Sequence, residues 1–236
     1  MKLYRIAGLL VAMEARGRTA LQAIPYEVEK PEKNRDITVR WTTEALERAQ
    51  PHLSRDDCDY IASGIVFYRE LIRFDGFMLH ASAIVRDGKA YLFTAPSGGG
   101  KSTHTALWQR VFGEEQVTIL NDDKPALRYV DGCWYAYGTP WSGREDKSVP
   151  MRAPVSAILV MEKSKDNRIE PMDETEALIH FLRETVHPGD EQDMGRLLDL
   201  MDSLIRSVSV WRIQCDATEA AVIMADEAIR RAEGAR

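Results

Sequence analysis

The stretch Lys89–Trp108, KAYLFTAPSGGGKSTHTALW, constrains this chain more than any other part of it. Ala90–Ala95 is apolar and reads as a strand, Pro96–Gly100 is a run of small residues, and Lys101, Ser102 and Thr103 open a helical pattern. A strand that ends in a glycine-rich turn and resumes as a helix is the context a phosphate-binding loop requires. Without bulky side chains the backbone can close on an anion. Successive N–H groups then face inward, and the helix start adds its positive dipole end. The usual pattern is G-x-x-x-x-G-K-S/T; Ala95 stands at its first position, and Gly100, Lys101 and Ser102 keep the remainder. The plain alternative is a glycine-rich turn with a solvated lysine. In the phosphate reading, Ser97, Gly98, Gly99, Gly100, Lys101, Ser102 and Thr103 hold the polyphosphate of a nucleotide. Lys101 reaches the β- and γ-phosphates as a point charge, and Ser102 offers its hydroxyl to Mg²⁺.

The rest of the composition narrows the partners. With 236 residues, 44% hydrophobic and 29% charged, the chain can bury a substantial core. A net charge of −6 gives no electrostatic reason to expect nucleic acid or an anionic membrane as partner. The three cysteines, Cys58, Cys133 and Cys215, are odd in number and lack metal-ligand spacing, so they read as thiols in a reducing compartment. The apolar run Ile6–Met13 is followed at once by Glu14 and Arg16 without a small-residue cleavage site, and reads as a first strand rather than a signal peptide. No apolar run approaches membrane-spanning length, and the expected location is the cytoplasm.

In chain order, residues 1–40 read as short strands around a solvated loop at Glu27–Asp36. A short helix is expected at Thr43–Ala49, stopped by Pro51, and a longer one follows Ser54, with Asp56 and Asp57 facing its dipole and an apolar stripe of Ile61, Ile65, Tyr68 and Ile72. Strands Phe77–Val85 and Lys89–Ala95 flank the turn pair Asp87-Gly88, and strands Ala126–Val130 and Cys133–Tyr137 flank Asp131-Gly132. Gln116–Leu120 and Val155–Met161 are apolar strands, with the loop Gly138–Lys147 between them. Helices at Glu174–Val186 and Asp193–Ser207, a strand at Val208–Cys215 and a helix at Ala217–Ala232 close the chain.

Three further constellations can carry chemistry. Asp122-Asp123 ends the apolar strand after the loop helix, where the metal-holding aspartate of many phosphate-loop enzymes sits. Neighbouring side chains on an extended backbone point to opposite sides, so one acid suits the metal and the other the proton of an attacking hydroxyl. A polar strand end with Asn121 and Asp122 as turn residues is the alternative. His80 lies on the strand before the loop, sharing a face by alternation with Met78, Ser82 and Ile84; a satisfied core histidine would look the same. Arg144 and Lys147, in the Gly138–Lys147 loop, can cover transferring phosphate charge or form surface ion pairs. His104 and Trp108 share a helix face and read as packing; His180 and His187 have no third ligand and receive no role.

HASAIVRDGKAYLFTAPSGGGKST followed by ILNDD resembles the catalytic core of the HPr kinase/phosphorylase family, related in fold to phosphoenolpyruvate carboxykinase. The resemblance covers about Leu79–Asp123. It implies an α/β fold with a mixed-sheet phosphate-loop kinase core over residues 76–236 and an N-terminal α+β subdomain over residues 1–75. It also implies that Ser97–Ser102 wrap the ATP phosphates, that Asp122 accepts the proton, that Asp123 helps hold the metal, and that His80 stands beside the transferring phosphate. Thr103 replaces the family's glutamate, Ala95 replaces its first loop glycine, and its longer signature segment has no counterpart in Gly138–Lys147. Shorter relatives phosphorylate free serine or peptide hydroxyls, and this chain is more similar to those. The expected activity is therefore transfer of the γ-phosphate of ATP, with Mg²⁺, to the hydroxyl of a small molecule or peptide. Homo-oligomers are also implied, since the family forms hexamers. A nucleotide hydrolase or switch, and a non-catalytic nucleotide-binding protein, are the other classes; the absence of an N-K-x-D guanine signature speaks against a switch, and the acid pair speaks against a bare binder.

Overall fold

A computed structural model of the chain describes residues 1–29, 34–143 and 145–234. The apolar run Ile6–Met13 is not one strand. It is parts of two, β1 (Lys2–Ile6) and β2 (Leu9–Met13), paired antiparallel around Ala7 and Gly8, whose φ angles are 52° and 78°. A two-residue turn with both φ positive matches the twist of the strands it joins, and continuous hydrophobicity conceals it in the sequence. A short helix not expected from the sequence, α1 (Gly17–Gln22), follows, and β3 (Ile37–Val39) adds parallel to β2.

Helix α2 (Glu44–Ala49) begins after Thr43, and α3 (Arg55–Leu71) after Ser54, whose hydroxyl accepts the Asp57 N–H at 3.1 Å. The buried face of α3 is carried by Tyr60, Ser63, Gly64, Phe67, Tyr68 and Leu71, while Ile61 and Ile65 of the expected stripe are only half-buried. The face is rotated because the aromatic rings hide more apolar area; Phe67 stacks on Trp141 at 4.8 Å between centroids.

The main sheet has nine strands. In chain order the elements are β4 (Gly76–Met78), β5 (Ala81–Arg86), β6 (Lys89–Thr94), α4 (Lys101–Phe112), β7 (Thr118–Asn121), β8 (Ala126–Val130), β9 (Cys133–Tyr137), β10 (Arg152–Lys163), β11 (Arg168–Pro171), α5 (Glu174–Arg183), α6 (Glu191–Ser207), β12 (Ser209–Cys215) and α7 (Glu219–Gly234). Spatially the path is β4-β8-β9-β10-β6-β5-β7, with β12 beside β10 and β11 beside β12. The long strand β10 changes partners along its length. Arg152–Pro154 pair antiparallel with β9, and from Val155 onward the strand runs parallel to β6 and, from Ala157, to β12. The result is a mixed α/β fold.

Helices cover both faces where the strands are parallel, as burial of continuous apolar strands requires. Ile158 and Val160 of β10 pack with α5 and α6 through Phe181, Leu200 and Leu204; Ala157, Leu159 and Met161 pack with α4 and α7 through Trp108, Val222 and Ile229. The residues of β1 to β3 and the buried face of α3 share one apolar cluster with Met78, Ala126, Tyr137 and Trp141.

The expected hairpins around Asp87-Gly88 and Asp131-Gly132 are present, all four residues having positive φ. The expected strand Phe77–Val85 is broken at Leu79 and His80, between β4 and β5. The turn after α5 occupies the gap: the Glu184 carbonyl accepts the His80 N–H at 2.7 Å, and the Thr185 hydroxyl donates to the Met78 carbonyl at 2.5 Å. Alternation from Met78 therefore does not orient His80. Because β5 is antiparallel to both β6 and β7, the last two run the same way, and the tip of β7 opens on the same sheet edge as the loop after β6.

Candidate active site

The segment from Ala95 to Thr103 turns sharply enough that its glycines are steric necessities. Gly100 precedes α4 with φ at 95°. A Cβ on Gly99 would stand 2.5 Å from the Ala95 methyl and 2.9 Å from the Pro96 carbonyl. Ala95 itself has ordinary backbone geometry and is fully buried, so the residue that departs from the usual pattern is tolerated and its methyl makes Gly99 obligatory. No side chain caps α4, and the N–H groups of its first turn, at Lys101, Ser102 and Thr103, have no intrahelical acceptor by construction. Such a turn is suited to an anion.

Lys101 is buried and donates to the Ala95 carbonyl at 2.9 Å, which leaves two of its three N–H donors. Burial lowers its pKa, opposed by the negative charges of Glu184, Asp123 and Asp122.

The two acids at the tip of β7 stand in different surroundings. Asn121 separates them: its side-chain carbonyl accepts the N–H groups of Asp123 at 2.9 Å and Lys124 at 2.7 Å, an Asx turn that ends the strand. Asp123 Oδ2 accepts from the Tyr60 hydroxyl at 2.9 Å and from the Lys124 amine, and Oδ1 lies 3.4 Å from His80 Nε2. Burial alone would raise the Asp123 pKa, but the His80 hydrogen bond and the Lys124 charge outweigh it and hold the carboxyl well below the usual range. Asp122 moves the other way. Burial raises its pKa, against the nearby Ser82 and Ser102 hydroxyls and the Lys147 charge; the Ser82 hydroxyl donates to the Asp122 main-chain carbonyl at 3.2 Å, and Oδ1 is buried without a protein partner.

His80 is clamped on both sides. Its Nδ1 lies 2.7 Å from Glu184 Oε2, and its carbonyl accepts from the Thr94 hydroxyl, which also meets His180 Nε2 at 3.0 Å. His80, Ser97, Lys101, Ser102, Asp122 and Asp123 line a single cleft of 370 Å³, with Gly98, Gly143 and Glu145 completing its wall. A smaller hollow of 230 Å³ is formed by Gly98–Thr103 alone, and on the far side of the loop lies a third of 410 Å³, bounded by Thr103, His104, Met161, Lys163 and the segment Cys215–Ala217. All three hollows have Gly98 in their walls.

Of the other expected residues, Arg144 lies outside the described residues. Lys147 pairs with the exposed Glu145 at 2.6 Å. Trp108 is fully buried against Tyr91 and Phe93. His104 packs on Phe93 at 4.8 Å, and burial lowers its pKa to about 4. His187 bonds the Leu182 carbonyl at the surface. Four residues at the site were not given roles there from the sequence: Tyr60, Asn121, Lys124 and Glu184. Asn121 and Lys124 flank the acid pair and were within reach of a turn argument; Tyr60 and Glu184 arrive from distant helices with no sequence signal.

The residues present fit a nucleotide with Mg²⁺. An orphaned, buried carboxylate oxygen beside the loop serine is a defect without a cation and a ligand with one. Among the described residues no group of three or more His, Cys, Asp or Glu side chains is arranged to hold a metal. Mg²⁺ takes one or two carboxylates and completes its shell with water and phosphate. Among the described residues no helix is long and apolar enough to cross a membrane.

Comparison with known proteins adds a family. No curated protein matches the chain. A solved structure, that of the Hpr(Ser) kinase/phosphatase from Coxiella burnetii, matches at 15% identity, covering 66% of this chain and 95% of that one, with a TM-score of 0.36. The family model described as SynChlorMet cassette protein ScmC matches residues 59–188, more than half of the sequence. The chain belongs to the SynChlorMet cassette protein ScmC family.

Proposed function

We propose that this protein is an ATP-dependent kinase with a phosphate-loop core, transferring the γ-phosphate to a hydroxyl of a small molecule or peptide. One observation carries the reading: a phosphate-loop lysine and serine, an orphaned carboxylate and a histidine–carboxylate pair all line one cleft. The loop amides and Lys101 hold the phosphates, and the 410 Å³ hollow beyond the loop takes the nucleoside.

Ser102 and Asp122 would hold Mg²⁺. Bound there, the ion offsets charge on the phosphate oxygens. Asp123 is the proton acceptor in this reading, so the roles expected for the two acids are exchanged. Tyr60 and Lys124 occupy Oδ2 of Asp123 and His80 faces Oδ1, and the ammonium beside it opposes a cation. The same partners keep it ionised, and of the roughly four lone-pair sites of a carboxylate one is left on Oδ1 for the hydroxyl proton. The acceptor oxygen bonds to the γ-phosphorus, the bond to the leaving ADP oxygen breaks, and the hydroxyl proton passes to Asp123. With a loose transition state, positioning and charge stabilisation by Lys101 and the loop supply most of the acceleration.

Incubation with γ-labelled ATP, Mg²⁺ and a panel of amino acids, sugars and peptides tests this. Label on an acceptor hydroxyl is the expected result. Free phosphate alone would make the protein a hydrolase, and intact ATP would make it a binder.

A further inference from the structure

Among the described residues the turn after α5 donates no hydrogen bond to the glycine-rich loop or the acid pair, and its contacts gather at Met78 and His80. Glu184 accepts the His80 N–H through its carbonyl at 2.7 Å and meets His80 Nδ1 through Oε2 at 2.7 Å; Thr185 donates to the Met78 carbonyl two residues earlier. The opposite ring nitrogen, Nε2, faces Asp123 Oδ1 at 3.4 Å. The imidazole thus lies between two carboxylates. Glu184 is 12% exposed at its side chain and Asp123 20%, so solvent weakens neither contact greatly.

We infer that Glu184 is a positioning residue of the kinase site, holding the His80 ring so that Nε2 is presented to Asp123 and the cleft. The inference rests on the kinase reading and adds a residue to it. The physical logic is that of an imidazole oriented through its other nitrogen. The nearer carboxylate, at Nδ1, favours a proton on that nitrogen and restrains the ring from turning about its Cβ–Cγ bond. Without it, His80 keeps its backbone place through the Glu184 carbonyl while its ring loses its anchor. The two functions of Glu184, main-chain and side-chain, are therefore separable by substitution.

Four kinetic variants and one spectrum test this. Glu184→Ala should lower kcat about 10- to 100-fold, as loss of an outer carboxylate partner of a functional histidine does, with ATP affinity within about twofold. In a His80→Ala background the same change should cost less than about twofold, because Glu184 acts through a ring that is no longer there. Thr185→Val, which breaks the neighbouring link without touching the imidazole, should keep kcat within about twofold. In ¹⁵N-labelled protein the His80 Nδ1–H signal should be present in the parent and lost in Glu184→Ala. Parental kcat in Glu184→Ala overturns the inference. So do multiplicative effects of Glu184→Ala and His80→Ala, or a Thr185→Val loss as large as that of Glu184→Ala. A parent that transfers no phosphate overturns the kinase reading instead, and the ring signal still reports whether Glu184 holds the imidazole.

Discussion

Ser102, in the first turn of α4, and Asp122, at the tip of β7, line the same cleft, and the Asp122 Oδ1 is buried there with no protein partner. The pair lies where a helix start meets a strand tip, the arrangement in which a serine and an acidic residue share a magnesium ion beside bound phosphates. Replacing Asp122 by Asn should weaken Mg²⁺ at least about tenfold in the presence of ATP, since even outer partners of metal ligands cost that much. Mg²⁺ titration of turnover or of nucleotide fluorescence measures it, and unchanged Mg²⁺ dependence would remove Asp122 from the metal site.

Lys101 should be needed for the nucleotide itself. Lys101→Ala removes a charge-assisted hydrogen bond worth about 1.5 to 3 kcal/mol, which calorimetric titration with ATP reads directly. Retained affinity would mean that the phosphates lie elsewhere.

The backbone of the loop makes a separate prediction. Gly99→Ala places a methyl 2.5 Å from that of Ala95, an overlap that costs about 1 to 3 kcal/mol when the surroundings are closely packed. Ala95→Gly in the same chain relieves that contact but not the 2.9 Å approach to the Pro96 carbonyl. The double variant should therefore recover part of the lost Tm and part of the ATP affinity. Full stability in Gly99→Ala alone would contradict the loop geometry.

Much of this was legible in the sequence because it is local. The strand, loop and helix over Lys89–Phe112 follow from small residues at fixed spacing, and the Asp-Gly hairpins from residues that accept positive φ. The broken strand before His80 was not legible, because what breaks it is Glu184, a partner brought by tertiary folding from beyond α5. The different surroundings of Asp122 and Asp123 have the same origin. Alternation predicts that neighbouring acids diverge, but only the arrival of Tyr60 from α3 and the reach of Lys124 decide which of them gains protein partners.

Acid stability carries the mark of His104. Burial lowers its pKa from 6.5 to about 4, so the folded chain keeps the ring neutral while the unfolded chain protonates it. The unfolded state binds more protons between those two values, and stability falls as pH is lowered through that window. This group alone should cost about 2 kcal/mol between pH 7 and pH 5. Urea denaturation of the parent and of His104→Leu at both pH values isolates it; an equal loss in both proteins would assign the effect to other groups.

The measurement closest to the centre of this account is single-turnover transfer from γ-labelled ATP in Asp123→Asn, alongside binding of MgATP to the same variant. The account predicts affinity within about threefold of the parent and transfer at least about 100-fold slower, the scale expected for a lost proton acceptor. Transfer at the parental rate, or a parent that does not bind MgATP at all, would contradict it.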